Sequence, residues 1–172
     1  MNAAFEVTRI NDHRFTYDVF YQKTETNSVV ISAINRFIRD PNYECLREDY
    51  VPDLDNITKE YLLLILNPSD DQSFGSWYYR PRERGSRPYI LISVHTGPLT
   101  DFESVFCFIG RAIVHEMLHE LFDDEKVISE KLSEFDVQFT EQCRRDTFRN
   151  CATIAPAYIK KNSRRSYGSE KN

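Results

Sequence analysis

Residues 100–122 read TDFESVFCFIGRAIVHEMLHELF, and this stretch decides the fold that we expect for the chain. Thr100 or Asp101 can cap a helix, and Glu103 then falls in its first turn. Apolar side chains occupy almost every side of the helix, which runs to about Phe122. A helix that is apolar nearly all round is a buried one. The stretch therefore predicts a central helix with the rest of the protein packed around it.

A second helix is expected directly after the first. Asp123 and Asp124 favour a tight turn, and residues 125–145 carry apolar side chains at helical spacing. The apolar stripe of that helix consists of Ile128, Leu132, Phe135 and Phe139. The short turn predicts that the two helices pack as an antiparallel pair.

The N-terminal half predicts a mixture of strands and helices. Residues 5–20 indicate a hairpin, residues 27–38 a helix and residues 89–94 a strand. Residues 54–67 fit either a strand or a short helix. Residues 68–88 are rich in Ser, Asp, Gly, Arg and Pro, and they are expected to form a long loop. The fold class that follows is α+β with a small sheet.

Size and charge limit the organisation and the partners. The chain has 172 residues, which is typical of one domain. We expect a single domain over residues 1–160 and a flexible basic tail over residues 161–172. The 27 acidic residues outnumber the 22 basic ones, so the net charge is −5. Nucleic acid is therefore an unlikely partner, because its binding usually draws on a basic field.

The sequence carries no recognisable export or membrane signal. Residues 1–6, MNAAFE, lack the basic and apolar regions of a signal peptide. The longest apolar run, residues 61–66, is far shorter than the roughly 20 residues that cross a bilayer. We therefore expect a cytoplasmic protein that does not bind membranes.

The central helix contains the pattern His-Glu-x-x-His at His115, Glu116 and His119. Side chains at positions i and i+4 leave the same side of a helix about one turn apart, so both imidazoles can bind one zinc ion. Zinc lowers the pKa of a bound water, and Glu116 lies beside the histidines, where it can accept the proton of that water. The pattern predicts metal ligands at His115 and His119 and a general base at Glu116.

An alternative interpretation is that the two histidines lie on the surface of an ordinary helix. The apolar neighbours argue against it, because an unpaired imidazole is costly to bury. A second alternative is a non-catalytic zinc-binding or partner-binding module. A third is that no metal binds and that the arginine-rich loop at residues 80–87 carries the function.

A catalytic zinc site usually takes three protein ligands and keeps one open position. No histidine follows His119, so the third ligand should be a carboxylate of the second helix or of the turn before it. The fold-back of an antiparallel pair places Glu130 opposite His119 and Glu134 opposite His115. We expect Glu130 to bind the metal, with Glu134 supporting a histidine or replacing Glu130. A solvated acidic helix face is the alternative for both. The remaining carboxylates in reach are Asp123, Asp124, Glu125 and Asp136.

The His-Glu-x-x-His pattern followed by a helix that carries glutamates resembles the zincin metallopeptidases, in particular the gluzincin branch that includes thermolysin. The resemblance covers about 30 residues, Ala112 to Cys143, and residues 128–134, ISEKLSE, are similar to the glutamate helix of that branch. It implies a small mixed sheet whose edge strand, expected at Tyr89–Val94, lines a cleft and binds an extended peptide substrate. It also implies a Zn²⁺ cofactor and hydrolysis of peptide bonds.

The chain departs from the gluzincin pattern in several places. The interval between His119 and Glu130 is short, and Glu120 places a charge where the family usually has an uncharged residue. Glu134 stands where an aspartate is commoner. The downstream histidine or tyrosine that steadies the oxyanion in the family has no clear counterpart in this chain.

Overall fold

The computed structural model describes residues 4–52, 54, 57–68, 75–83, 85–94 and 102–146. The expected helix cap at Thr100 or Asp101, the end of the expected domain and the expected tail at residues 161–172 lie outside these ranges.

The described residues form a mixed α+β fold around a five-stranded sheet. The strands are β1 (Phe5–Asn11), β2 (Thr16–Gln22), β3 (Glu60–Leu66), β4 (Gly75–Tyr79) and β5 (Tyr89–Ser93). Their order across the sheet is β1-β2-β3-β5-β4. The two outer pairs, β1 with β2 and β4 with β5, are antiparallel, whereas β2, β3 and β5 run parallel. The sheet is therefore mixed, as expected.

Four helices complete the described part of the chain. They are α1 (Glu25–Arg39), α2 (Pro41–Tyr50), α3 (Phe102–Leu121) and α4 (Glu125–Arg145). Local sequence explains where three of them begin, because the side chains of Thr24, Asp40 and Asp124 accept hydrogen bonds from the first turns of α1, α2 and α4. None of the four combines the length and apolar character that a membrane crossing requires.

Most of the predicted elements are confirmed. The hairpin, α1, β5, α3 and α4 lie where the hydrophobic periodicity placed them, and the undecided segment at residues 54–67 contains a strand, β3. The sequence did not reveal α2, whose apolar side chains are few.

Two expectations about the sheet are wrong. Residues 68–88 are not one long loop, because β4 lies within them. The expected edge strand at Tyr89–Val94 is instead an interior strand, since β5 pairs with β3 on one side and with β4 on the other. Among the described strands, β4 and β1 form the two edges.

Helix α3 lies at the centre of the fold, as its composition predicted. Every residue from Ser104 to Leu118 is buried, and the helix packs against α1, α4, β4 and β5. Gly110 allows the closest approach, because a Cβ atom there would lie 2.5 Å from Phe139 Cε2 and 2.8 Å from Phe37 Cδ1. The glycine therefore sets how near α3 can come to α1 and α4.

Replacing Gly110 by alanine should destabilise the protein. Overpacking a filled core costs about 1–3 kcal/mol, which exceeds the gain of roughly 1 kcal/mol in helix propensity. The measurement is the free energy of unfolding in urea. Ser133→Ala on the exposed side of α4 is the control and should change it by less than about 0.5 kcal/mol. A Gly110→Ala protein as stable as the wild type would contradict this packing.

Candidate metal centre

The three residues of the His-Glu-x-x-His pattern come together on one side of α3. The rings of His115 and His119 stack with their centroids 5.2 Å apart and their planes 21° from parallel. Glu116 Oε2 lies 4.0 Å from His119 Nε2. Each residue offers one potential ligand atom, and these three atoms all lie within 4.8 Å of one another.

This group fits a zinc ion in its chemistry and nearly in its spacing. Bonds of 2.0–2.2 Å in a tetrahedral site place the ligand atoms roughly 3.4 Å apart, so small side-chain rotations would suffice. Imidazole nitrogens suit several transition metals, zinc, copper, iron and nickel among them. The three side chains can therefore hold a metal ion without a change in the backbone.

The centre is deeply buried on one side. His115 is 1% exposed and Glu116 is fully buried, whereas the side chain of His119 is 17% exposed. Of the three residues, His119 is the one at which solvent or a substrate can reach the centre.

Edge strand β4 forms one wall of the centre. Ser76 Oγ donates a hydrogen bond of 2.6 Å to Glu116 Oε1, and the ring of Tyr78 stacks on His119 with centroids 6.2 Å apart. The two residues are two positions apart on a strand, so their side chains point to the same face of the sheet. Burial raises the pKa of Tyr78 above its usual value.

Helix α4 approaches the centre through a residue that the sequence left as a minor candidate. Glu125 Oε1 lies 3.8 Å from His119 Nδ1, and Arg111 Nε donates to Asp136 Oδ2 over 3.1 Å. These two contacts show that α3 and α4 run antiparallel and define the side of α4 that faces α3. The 3.8 Å between Glu125 and His119 is an ion-pair distance rather than a hydrogen bond, so Glu125 acts on the Nδ1 side of His119 through its charge, and Nε2 is left for a metal.

The described structure does not bring the expected third ligand into the centre. Glu130 and Glu134 are exposed, and neither belongs to the group of potential ligands. At 100° per residue, they point about 140° and 180° away from Glu125 around the axis of α4. Glu134 lies on the side of α2, where its charge helps to raise the pKa of Tyr50.

The last turn of α3 is fixed by Glu120. Its buried carboxylate accepts hydrogen bonds from Thr58 N (2.7 Å), from Tyr61 Oη (2.6 Å) and from Arg80 Nη1 (3.0 Å). Burial raises the pKa of Tyr61, and the hydrogen bond to Glu120 raises it further. The charge that sets this chain apart from gluzincins therefore ties the end of α3 to the sheet.

Sequence reasoning did not place Ser76, Tyr78 or Glu125 beside the three central side chains. Ser76 and Tyr78 lie in a segment whose Ser, Asp and Gly content suggested a loop. The run Gly75–Tyr79 contains three aromatic residues, which favour strands, and this signal could have revealed β4. To predict the position of Glu125, one must know how α4 is rotated about its axis relative to α3, and the sequence does not show this rotation.

Comparisons with protein-family models, with curated proteins and with solved structures found no match to this chain.

The carboxylates of α4 should differ in their effect on zinc affinity. Glu125→Ala should weaken zinc binding about threefold, because His119 loses a half-exposed negative charge beside it and such an ion pair contributes at most about 1 kcal/mol. Glu130→Ala and Glu134→Ala are the matched controls and should change the affinity less than twofold. Competition against a chromophoric zinc chelator measures all three. A larger loss in Glu130→Ala than in Glu125→Ala would support the ligand assigned from the sequence instead.

Proposed function

We propose that this protein is a zinc-dependent metallopeptidase with a zincin-like arrangement. The observation that carries the proposal is the group formed by His115, Glu116 and His119, whose potential ligand atoms lie within 4.8 Å of one another on a buried helix. A mixed sheet whose antiparallel edge strand β4 packs against that helix supports the proposal.

Each of the three residues has a separate role in the proposed reaction. His115 and His119 hold the metal through their ring nitrogens. A bound zinc ion supplies a water of lowered pKa and polarises the carbonyl that is attacked. Glu116 accepts the proton of the attacking water and passes it to the leaving amine. One C–O bond forms, one C–N bond breaks, and one water is consumed for each peptide bond.

The remaining ligand positions are proposed from the sequence. The sequence predicts Glu130 as the third protein ligand, but α4 would have to rotate by about 140° to bring it where Glu125 lies. The comparison of the Glu125, Glu130 and Glu134 variants described above decides between the two arrangements. Glu125 supports His119 in the role that the sequence gave to Glu134.

A peptide substrate would bind along β4 rather than along β5. The outer side of β4 pairs with no other described strand, and β4 carries two residues that contact the metal-binding group. An extended peptide can add to such an edge through main-chain hydrogen bonds, which places its carbonyl groups beside α3.

The burial of His115 and Glu116 favours a second candidate function, a structural metal site. In that case Glu116 binds the metal as a third protein ligand, and a fourth protein ligand closes the position that a catalytic site keeps open for water. The two functions make opposite predictions for a substitution at Glu116, since a general base can be lost without loss of the metal.

The purified protein should contain about one equivalent of zinc and hydrolyse an unstructured protein such as casein. Glu116→Gln should keep the zinc and lower the rate of hydrolysis by at least about a hundredfold, because the proton acceptor is lost. His115→Ala and His119→Ala should lose the metal. His13→Ala is the control, because it removes a histidine that contacts Glu44 instead. This variant should keep both the bound zinc and the hydrolysis of casein.

Metal analysis by mass spectrometry and a fluorescent casein assay check these expectations. Zinc bound by the wild type but lost with Glu116→Gln, together with no hydrolysis by either protein, would establish the structural site instead. Undiminished hydrolysis by Glu116→Gln would contradict the proposed general base.

A further inference from the structure

We infer that Ser76 is a positioning residue that keeps Glu116 as a proton acceptor and prevents it from binding the metal as a third ligand. This inference rests on the proposed function, because it assigns a role to a residue next to the same metal centre. It concerns the position of one carboxylate, which can be followed separately from hydrolysis.

Glu116 is near enough to the histidines for either role. Its Oε2 atom lies 4.0 Å from His119 Nε2, and its ligand atom lies within 4.8 Å of those of both histidines. A small rotation of the side chain could therefore bring the carboxylate onto the metal. A general base has to stop short of that position, because it must reach the water and not the metal.

The hydrogen bond from Ser76 opposes that rotation. Ser76 Oγ lies 2.6 Å from Glu116 Oε1, and both residues are buried, with 1% and 0% exposure. A hydrogen bond to a charged acceptor is shorter and stronger than a neutral one, and low local dielectric strengthens it further. The bond engages Oε1, while Oε2 remains on the side of His119.

The backbone at Ser76 gives this hydrogen bond a fixed origin. Ser76 lies in β4, where it pairs with Ile92 of β5, and the next residue on the same face, Tyr78, packs on His119. The hydroxyl therefore projects from a hydrogen-bonded strand rather than from a loop. This rigidity is what a positioning group requires.

Three substitutions at Ser76 separate the hydroxyl from the shape of the side chain. Ser76→Ala removes the hydroxyl, Ser76→Thr keeps it, and Ser76→Val has the shape of threonine without it. Ser93→Ala is the matched control, because Ser93 is also buried but lies on neighbouring strand β5. Circular dichroism establishes which variants fold, and the Thr and Val pair still tests the hydroxyl if Ser76→Ala fails to fold.

The first readout is metal binding without substrate. Ser76→Ala and Ser76→Val should bind zinc about tenfold more tightly than the wild type, because Glu116 joins the ligands. The visible absorption of bound Co²⁺ should change in both, since it reports the number of ligands. Ser76→Thr and Ser93→Ala should retain the wild-type affinity and spectrum. In the Glu116→Gln background, Ser76→Ala should have no further effect on the zinc affinity or on the Co²⁺ spectrum.

The second readout is hydrolysis. Ser76→Ala and Ser76→Val should lower kcat about 10- to 100-fold, the equivalent of one hydrogen bond to a charged group, with little change in KM. Ser76→Thr should restore most of the rate.

The outcomes distinguish this inference from the proposed function. A wild type that binds zinc and hydrolyses casein, with a Ser76→Val protein of equal affinity, spectrum and kcat, would overturn the inference alone. A wild type that binds no zinc would overturn the proposed function and this inference with it. Equal effects of Ser76→Ala with and without Glu116 would show that Ser76 acts only on the structure.

Discussion

The constraint on which the structure depends is the burial of charged and polar side chains within an apolar helix. Helix α3 is central and buried from Ser104 to Leu118, and His115 and Glu116 are among its least exposed residues. Burying such groups is unfavourable unless they are paired or bind a metal. Glu116 has a partner outside the helix, since Ser76 bonds to it, and the ring of Tyr78 covers the neighbouring His119. The position of β4 and the chemistry of the centre are therefore parts of one arrangement.

The same constraint explains why so much of the centre was predictable from the sequence. The spacing of His115 and His119 fixes their relative position as soon as the segment is helical, and its apolar composition identifies it as helical and buried. Both properties are local, so no knowledge of the rest of the fold was needed. The antiparallel arrangement of α3 and α4 follows similarly from the short connection at Asp123 and Asp124.

What the sequence could not show depends on contacts between distant segments. The pairing of Glu130 with His119 was estimated from distance along the chain, but the side of α4 that faces α3 also depends on its rotation about its axis. That rotation is set by apolar packing at Leu132 and Phe139, and it turns Glu125 toward the centre. The edge of the sheet was misplaced for a related reason, because β4 is short and lies within a segment rich in Ser, Asp, Gly, Arg and Pro.

X-ray absorption at the zinc edge of the purified, zinc-loaded protein tests the central claim most directly. The account predicts two imidazole ligands with nitrogen atoms at 2.0–2.1 Å and oxygen atoms in the remaining positions. A His119→Ala protein should lose this signal. Scattering from sulfur at about 2.3 Å, or a zinc environment without imidazole, would contradict the account, because the metal would then have ligands other than those proposed around His115 and His119.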